Sequence, residues 1–257
     1  MFMRKKRDKK GQITIFIILA IVIVAIGVLI YMFYPQIRSS LGFETQNPNI
    51  FIQNCLQDKI QETISIIGPQ GGSLDPEFYY TYQDDEIEYL CYTNEDYQLC
   101  TVQQPMLKQH IEAEIKKDIE DDAEECFDEL ESTFRGRGYQ VSLNRGDFAV
   151  ELLPKRVVTL FNSTLSLKKG EDTQVYKQFN IAVNNNIYEL VTIATSIISL
   201  ETTLGDSEVE YFMQYYRDLK VQKIKQSEGT TVYILTDLNT GDIFQFASRS
   251  LAWPPGI

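Results

Sequence analysis

An unbroken apolar stretch near the start of the chain, from Ile13 to Phe33, constrains this sequence more than any other feature. It contains no ionisable side chain except the phenol of Tyr31. A helix rises about 1.5 Å per residue, so about 20 residues cross the roughly 30 Å hydrocarbon core of a bilayer. We therefore predict one transmembrane helix here, with the lipid bilayer as a partner and a tethered domain after it.

The charges on either side of the stretch predict its orientation. Six basic residues and one acidic residue precede it, whereas Arg38 is the only charged residue between it and Glu44. Basic segments resist translocation, so we expect a single-pass protein of the cell membrane with a cytoplasmic N-terminus and an extracellular C-terminal domain from about Tyr34 onward. The alternative is a cleaved secretory signal. Its apolar core is usually only about 7 to 15 residues long and precedes a small-residue cleavage site, and neither property fits.

The residues after the basic head are strongly acidic. The whole chain has a net charge of −12, and setting aside the six basic residues and one acidic residue of the head leaves 18 Lys and Arg against 35 Asp and Glu, a net charge of −17. Nucleic acids and anionic lipid surfaces bind clustered cations, so we expect no nucleic-acid partner. Hydrophobic residues make up 44% of the chain, which is typical of a folded domain.

Cysteine usage agrees with export. All four cysteines follow the apolar stretch, on the side where disulfides persist: Cys55, Cys91, Cys100 and Cys126. The polar residues between the middle two predict a hairpin about Glu95-Asp96 that places Cys91 directly opposite Cys100. The other two lie on the apolar faces of predicted helices, so a Cys55–Cys126 bridge would link those helices. A four-thiolate zinc site is the alternative, but the short paired spacings that it needs are absent.

Hydrophobic periodicity predicts an α+β fold, with amphipathic helices and antiparallel β-meanders after the transmembrane helix. The expected organisation is a basic head and transmembrane helix at 1–34, a helix–hairpin–helix segment with the four cysteines at 35–137, antiparallel strands and a helix at 138–204, and a short helix with a three-stranded meander at 205–257. Within the second segment, apolar residues spaced by three and four predict one helix of about 28 residues that begins at Pro105 and ends near Gly136.

Alternating apolar residues predict the strands of the third segment. Strands are expected from Tyr139 to Leu143 and from Phe148 to Leu152, joined by a hairpin turn at 144–147, and then at about 156–167 and 174–183. The meander strands are expected at about 219–225, 231–236 and 243–248. Asn162-Ser163-Thr164 is an acceptor sequon for N-linked glycan, which makes Asn162 a candidate glycosylation site if it is exposed.

The search for catalytic and metal-binding motifs indicates neither. His110 is the only histidine, so any histidine-activated nucleophile would depend on it, and a structural role is favoured over a zinc ligand. Asp237, Asn239 and Asp242 loosely resemble the start of a calcium loop, but the completing glutamate is missing and a hairpin turn is favoured. Nucleotide-binding, hydrolase and metalloprotease motifs are absent from the sequence. We therefore predict no catalytic activity, no cofactor and no metal.

The residues at the start of the apolar stretch carry a resemblance. The sequence Lys9-Lys10-Gly11-Gln12-Ile13-Thr14 resembles the class III signal of archaeal type IV pilin-like proteins. The resemblance implies a prepilin-type peptidase that cuts between Gly11 and Gln12, and other pilus or envelope subunits as partners. Those pilins carry a glutamate that supports assembly at the fifth mature position, where this chain has Phe16. The order of elements is also similar to uncharacterised membrane-anchored surface proteins of small-genome archaea, which implies no function.

Two functional hypotheses follow from these observations. The first is a membrane-anchored, exported surface protein that acts as a pilin-like structural or interaction subunit without catalysis. The second is an anchored extracellular module of an envelope complex that binds a ligand between its helical and β segments. An exported hydrolase that uses carboxylates would require two or more Asp or Glu side chains converging in one pocket.

Overall fold

The computed structural model describes residues 47–252. The predicted transmembrane helix and the processing residues Gly11 and Gln12 lie outside this part of the chain. Contacts divide the chain into two compact units, Met1–Ile50 and Phe51–Ile257. All elements described below belong to the second unit, except the first three residues of helix α1.

Helix α1, Pro48–Ile67, has the apolar stripe that the sequence predicts. The side chains of the stripe are almost fully buried: Ile52, Leu56, Ile60, Ile64 and Ile67. The helix ends at Gly68-Pro69, and the chain then turns through Gly71 and Gly72, which have φ angles of +89° and +109°. A side chain at either glycine would be strained, so the turn depends on glycine at both positions.

The predicted single helix after Pro105 is two helices, α2 (Leu107–Asp118) and α3 (Glu120–Gly136). Ile119 separates them with φ −94° and ψ 0°. The charges favour a break at this position, because Lys116 and Lys117 lie in the last turn of α2 and three acidic residues lie in the first turn of α3. Each group faces the helix end whose dipole it complements. The prediction of one continuous helix is therefore wrong, although the interruption is a single residue that keeps right-handed helical dihedral angles.

The largest sheet has six strands and combines residues from both ends of the described chain. Its strands are β1 (Tyr79–Tyr82), β2 (Asp85–Tyr92), β3 (Thr101–Val102), β10 (Leu219–Lys225), β11 (Thr230–Asp237) and β12 (Ile243–Arg249). The order is β1-β2-β12-β11-β10, with β3 also paired to β2. The predicted C-terminal meander is confirmed, and its last strand pairs in parallel with β2.

The hairpin predicted about Glu95-Asp96 has a different register. Cys91 lies opposite Val102, and Tyr92 lies opposite Thr101, so the two cysteines are not directly opposed. Cys100 instead precedes β3, in a longer connection than the polar residues alone suggested. The prediction of directly opposed cysteines is therefore wrong by two residues.

The third segment forms a meander of three long strands, each of which bends in the middle. The half-strands are β4 (Gln140–Asn144), β5 (Phe148–Leu153), β6 (Arg156–Phe161), β7 (Thr164–Lys169), β8 (Asp172–Tyr176) and β9 (Phe179–Asn184). The bends divide the meander into two three-stranded sheets, β4-β7-β8 and β5-β6-β9.

The hairpin predicted at residues 144–147 is wrong, because these residues form the first of these bends. Strand β4 pairs with β7, and β5 pairs with β6, so β4 and β5 do not pair with each other. Ion pairs connect the bend to both neighbouring helices. Lys116 Nζ of α2 lies 2.7 Å from Asp147 Oδ1, and Arg145 pairs with Asp128 of α3. The alternation of apolar residues is identical in a turn-linked and a bent strand, so the sequence pattern could not separate them.

Helix α4, Ile187–Leu204, lies at the centre of the domain. It packs on β2, β11 and β12 of the large sheet and on β5 and β6 of the bent meander. Among residues 47–252 it is the one helix long and apolar enough to cross a membrane by length and composition. Its buried side chains belong to the main hydrophobic core, which is the ordinary place for an apolar helix of a folded domain. A short helix, α5 (Glu210–Tyr215), precedes β10.

Candidate functional site

Both predicted disulfides are present. Cys55–Cys126 joins α1 to α3 with 6.0 Å between the Cα atoms, and Cys91–Cys100 joins β2 to the segment before β3 with 5.4 Å. Their sequence separations of 71 and 9 residues differ greatly. The first bridge therefore closes a long loop across the fold, whereas the second closes a local one.

The polar side chains around Ser73 form the cluster that most resembles catalytic machinery. Ser73 is 6% exposed and lies between β2 and α2, where the turn through Gly71 and Gly72 places it. Its Oγ is 2.6 Å from Glu88 Oε2 and 2.7 Å from His110 Nε2. Next to it, Glu114 accepts a hydrogen bond from the backbone N–H of Leu74 at 3.0 Å.

The hydrogen bonds decide what this cluster can do. An ionised Glu88 can only accept, so Ser73 donates its single hydroxyl proton to Glu88, and His110 donates Nε2–H to Ser73. In that arrangement the imidazole is not a base toward the hydroxyl, which a serine nucleophile requires. The geometry instead suits the attachment of the loop after α1 to β2 and α2.

Burial sets the electrostatics of the cluster. It raises the pKa of Glu88, and the nearby Glu114 carboxylate adds to this effect while the Ser73 hydrogen bond opposes it. Burial also lowers the pKa of His110 despite the opposing attraction of Glu114. The neutral imidazole is therefore favoured at neutral pH.

A second polar cluster surrounds Glu201, which is 2% exposed in the last turns of α4. Its carboxylate accepts hydrogen bonds from the phenol of Tyr233 and from Ser248 Oγ, the latter at 3.1 Å. Ser248 Oγ also lies 3.7 Å from Cys100 Sγ. Burial raises the pKa of Glu201 above its ordinary value, although both hydrogen bonds act in the opposite direction.

Aromatic side chains cover the face of the large sheet that is turned away from α4. We call Phe78, Tyr80, Tyr89 and Tyr92 the aromatic cluster. Ring centroids in it lie 4.6 to 6.3 Å apart. The Tyr89 hydroxyl is 2.8 Å from Thr230 Oγ1 on β11, so its ring crosses the intervening strand β12. The cluster thereby covers Val232 and Ala247, and the ring of Phe78 is 42% exposed.

Exposed carboxylates lie in the same segment as the aromatic cluster. Residues 60–107 contain nine Asp and Glu and no Lys or Arg. Five of these acidic residues are exposed on either side of β1 or next to it in the chain: Asp75, Glu77, Asp84, Asp85 and Glu86. We call these five residues the acidic rim. Arg249 of β12 is the cation that contacts the cluster, with its guanidinium 5.6 Å from the centroid of Tyr92.

An open groove of about 260 Å³ lies between the start of α2 and the exposed face of α4. It is lined by Lys108, Tyr188, Val191, Thr192, Thr195 and Ser196. The hydroxyls of Thr192, Thr195 and Ser196 donate hydrogen bonds of 2.8 to 3.0 Å to carbonyls of their own helix, so their oxygen lone pairs remain for acceptance. The groove is therefore mainly apolar with a few hydroxyl acceptors, and Lys108 at its edge is paired with Glu112 at 3.0 Å.

The remaining predicted residues take ordinary structural positions. Asn162 is exposed at the bend between β6 and β7, whereas Ser163 of the sequon is buried. The turn with Asp237 and Asp242 is the predicted hairpin turn. Asn185 and Asn186, at the start of α4, donate hydrogen bonds of 2.8 Å to both carboxylates. Within residues 47–252, no group of three or more His, Cys, Asp or Glu residues is placed to hold a metal ion.

Sequence reasoning missed both polar clusters. No sequence motif marks Ser73, because its partners Glu88 and His110 lie 15 and 37 residues further along the chain. One sequence signal marks Glu201. It lies three residues after Ile198 and four after Ile197, which places a charged residue on the apolar face of an otherwise uncharged helix segment. No protein-family model, curated protein or solved structure matches this chain.

Proposed function

We propose that this protein is an exported, membrane-anchored surface protein whose domain serves as a structural or interaction subunit without catalysis. The observation that carries the proposal is the pair of disulfides, since all four cysteines follow the apolar stretch Ile13–Phe33 and all four are bridged. Disulfides persist in oxidising compartments, so their positions agree with the orientation that the basic head predicts.

The start of the apolar stretch refines this proposal. Cleavage between Gly11 and Gln12 by a prepilin-type peptidase would leave the apolar helix as an N-terminal anchor in the cell membrane. Phe16 replaces the assembly glutamate of the pilins that this segment resembles. We therefore favour a pilin-like surface subunit that joins other envelope or pilus subunits over a self-assembled filament.

The proposed lack of catalysis is supported by the hydrogen bonds of Ser73. When Glu88 is ionised, the Ser73 hydroxyl proton is directed to it, so the imidazole of His110 donates to the hydroxyl oxygen rather than accepting from it. The second acidic cluster, around Glu201, is enclosed in the core, where a substrate could not reach the carboxylate without opening the fold.

The groove between α2 and α4 favours a second candidate function, an anchored ligand-binding module. Its volume of about 260 Å³ is near the lower end of ordinary ligand pockets. Its mainly apolar lining with a few hydroxyl acceptors would suit a small, largely apolar ligand that carries a hydroxyl group. Substitution of Thr195 by Leu would fill the groove, and loss of ligand binding in that variant would distinguish this function from the first.

The orientation can be tested by labelling single added cysteines in intact cells with a membrane-impermeant maleimide. Ser132→Cys places a thiol on the exposed surface of α3, and Asp8→Cys places one in the basic head. We expect the first to react in intact cells. The second reports on the unprocessed chain, because the proposed cleavage removes residues 1–11, and it should react only after permeabilisation. The reverse pattern would contradict the proposal.

The unmodified protein is the matched control, because its bridged cysteines leave no thiol to react. Intact-mass measurement of the protein from native membranes then tests processing and bridging separately. We expect loss of residues 1–11 and a gain of four hydrogens on reduction, two for each bridge. An unprocessed and fully reduced chain would overturn the proposed location and the resemblance together.

A further inference from the structure

Strand β1 lies at the edge of the large sheet. Its register with β2 shows which of its backbone N–H and C=O groups point away from β2. Phe78 pairs with Tyr89, and Tyr89 N–H donates to Phe78 O at 3.0 Å, so these two residues form a hydrogen-bonded pair. The next pair, Tyr79 with Glu88, is then non-hydrogen-bonded, and the alternation repeats along the strand. The N–H and C=O groups of Tyr79 and Thr81 therefore point away from β2, and both residues are exposed.

No strand among residues 47–252 pairs with this edge of β1. Sheet edges are usually protected by lysine, proline or a bulge, because unpaired backbone groups accept strands from other chains. Strand β1, Tyr-Tyr-Thr-Tyr, is short at four residues but has no lysine, proline or bulge of its own. Its edge is therefore open to strand addition, a recurrent mode of peptide recognition.

The side chains around the edge indicate what kind of strand would fit. Phe78 and Tyr79 are 42% and 41% exposed, and the nearby Glu86 carboxylate raises the pKa of the Tyr79 hydroxyl. Arg249 already places its guanidinium over Tyr92. The cluster thus holds one arginine from its own chain by a cation–π contact, which is the chemistry that a second cation would use.

The acidic rim decides between a second copy of this chain and a different partner. Pairing two β1 edges would bring two copies of the rim together, with ten carboxylates and no basic residue from 60–107 to compensate them. Like charges on adjacent strands repel, so pairing of β1 with the β1 strand of a second copy is disfavoured. A segment with lysine or arginine at alternate positions would instead turn all of its cations to one face of the sheet, either toward Glu86 or toward the aromatic rings.

We propose that the free edge of β1 binds an extended, basic segment of a partner polypeptide by strand addition. The backbone groups of Tyr79 and Thr81 pair with the segment. Its side chains alternate between the aromatic cluster on one face of the sheet and Glu86 on the other. This inference rests on the proposed role as an interaction subunit and names the class of partner.

The test uses the full chain in neutral detergent micelles and a fluorescent nonapeptide in which lysine and valine alternate. We expect saturable binding that weakens about tenfold between roughly 0.05 M and 0.5 M salt, because exposed charges are screened. Hydrogen exchange in residues 77–83 should slow when the peptide is added. A peptide with alternate backbone nitrogens methylated keeps its charge but cannot pair, and equal binding of that peptide would overturn the proposal.

Two substitutions at one position provide matched variants. Thr81→Pro removes the outward N–H while the β1–β2 ladder remains, since proline is tolerated on a sheet edge when its nitrogen faces outward. Thr81→Val keeps the N–H. We expect the proline variant to bind the peptide about tenfold more weakly and the valine variant to bind it normally.

A thermal unfolding curve for each variant shows whether it is folded. If Thr81→Pro does not fold, Glu86→Gln replaces it, and binding should then be weaker and less dependent on salt, because one of the five rim carboxylates is neutralised. Unchanged affinity in the proline variant, unchanged salt dependence in the glutamine variant, or no binding of the peptide at all would each overturn the inference. None of these results changes the cysteine labelling pattern, so failure of the inference and failure of the proposed location are distinguishable.

Discussion

Glu201 illustrates how a charged residue type becomes part of a core. The side chain is almost fully buried, yet each carboxylate oxygen has a hydroxyl donor, Tyr233 on one side and Ser248 on the other. Burying a carboxyl without such partners would cost several kcal/mol, which explains why two strands supply donors at this point. Ser73 follows the same rule, since its single hydroxyl joins Glu88 and His110.

We predict that Glu201→Gln makes stability less dependent on pH. Burial raises the folded-state pKa of Glu201, so its contribution to stability is fully present below the unfolded pKa of about 4.5 and is lost as pH rises through the folded pKa. Glutamine is neutral at every pH and can accept from Tyr233 while donating to Ser248. The variant should therefore exceed the native chain in stability by an amount on the order of 1 kcal/mol at pH 8, and by little at pH 4.

Urea unfolding of both chains at a series of pH values measures this difference. Glu124→Gln makes the same change of atoms on the exposed side of α3 and serves as the control. Parallel stability curves for Glu201→Gln and the native chain would contradict the assignment of Glu201 as the group that titrates.

At the scale of elements, the two disulfides have different structural tasks. Cys55–Cys126 fixes α1 against α3 across a separation of 71 residues, whereas Cys91–Cys100 spans only 9. In the chain-entropy description, a bridge stabilises the folded state by restricting the unfolded chain, and the effect grows with the logarithm of loop length. The helix-to-helix bridge is therefore expected to contribute more.

We predict that replacing both Cys55 and Cys126 by alanine lowers the free energy of unfolding by about 4 kcal/mol, and that replacing Cys91 and Cys100 lowers it by about 2.5 kcal/mol. The two double variants are each other's control, because both lose one bridge and two sulfur atoms. Unfolding by urea in neutral detergent gives the values. Equal losses, or a larger loss for the short loop, would show that loop entropy does not set the order.

At the scale of the whole molecule, charge and topology act on different properties. The net charge of −17 after the basic head disfavours association with anions and with further copies of the chain. The fold draws strands from residues 79–102 and 219–249 into one sheet around α4. Its stability therefore depends on contacts between segments that are far apart in the sequence.

We predict that salt raises the melting temperature of this protein at neutral pH. Repulsion among the excess carboxylates destabilises the compact state, and about 0.5 M salt shortens the screening length to a few ångströms. Differential scanning calorimetry in sodium chloride at pH 7 measures the effect. At about pH 4.3, where roughly half of the carboxylates are protonated, the same salt should have little influence. A melting temperature that falls with salt at pH 7 would mean that attractive ion pairs dominate.

Local pattern was sufficient for several elements of the fold. The stripe of α1, the α+β class, the three C-terminal strands and the two disulfide pairs all agree with the structure. The wrong predictions concern how segments continue or pair. Residues 144–147 bend a strand instead of turning a hairpin, Ile119 interrupts a helix, and Cys91 lies opposite Val102. The bend at 144–147 depends on distant partners, since its ion pairs reach α2 and α3, whereas the break at Ile119 and the register of Cys91 are settled by neighbouring residues.

The sequence by itself determined the apolar stretch Ile13–Phe33, its basic flank, the strongly acidic remainder and the periodicity of most helices and strands, because these are properties of composition and spacing. Tertiary structure alone decided that β12 lies beside β2, that Ser73 meets Glu88 and His110, and that no strand within residues 47–252 pairs with the outer edge of β1. The physical reason is that pairing and burial join residues from separate elements. Such contacts form only when the whole domain packs around α4.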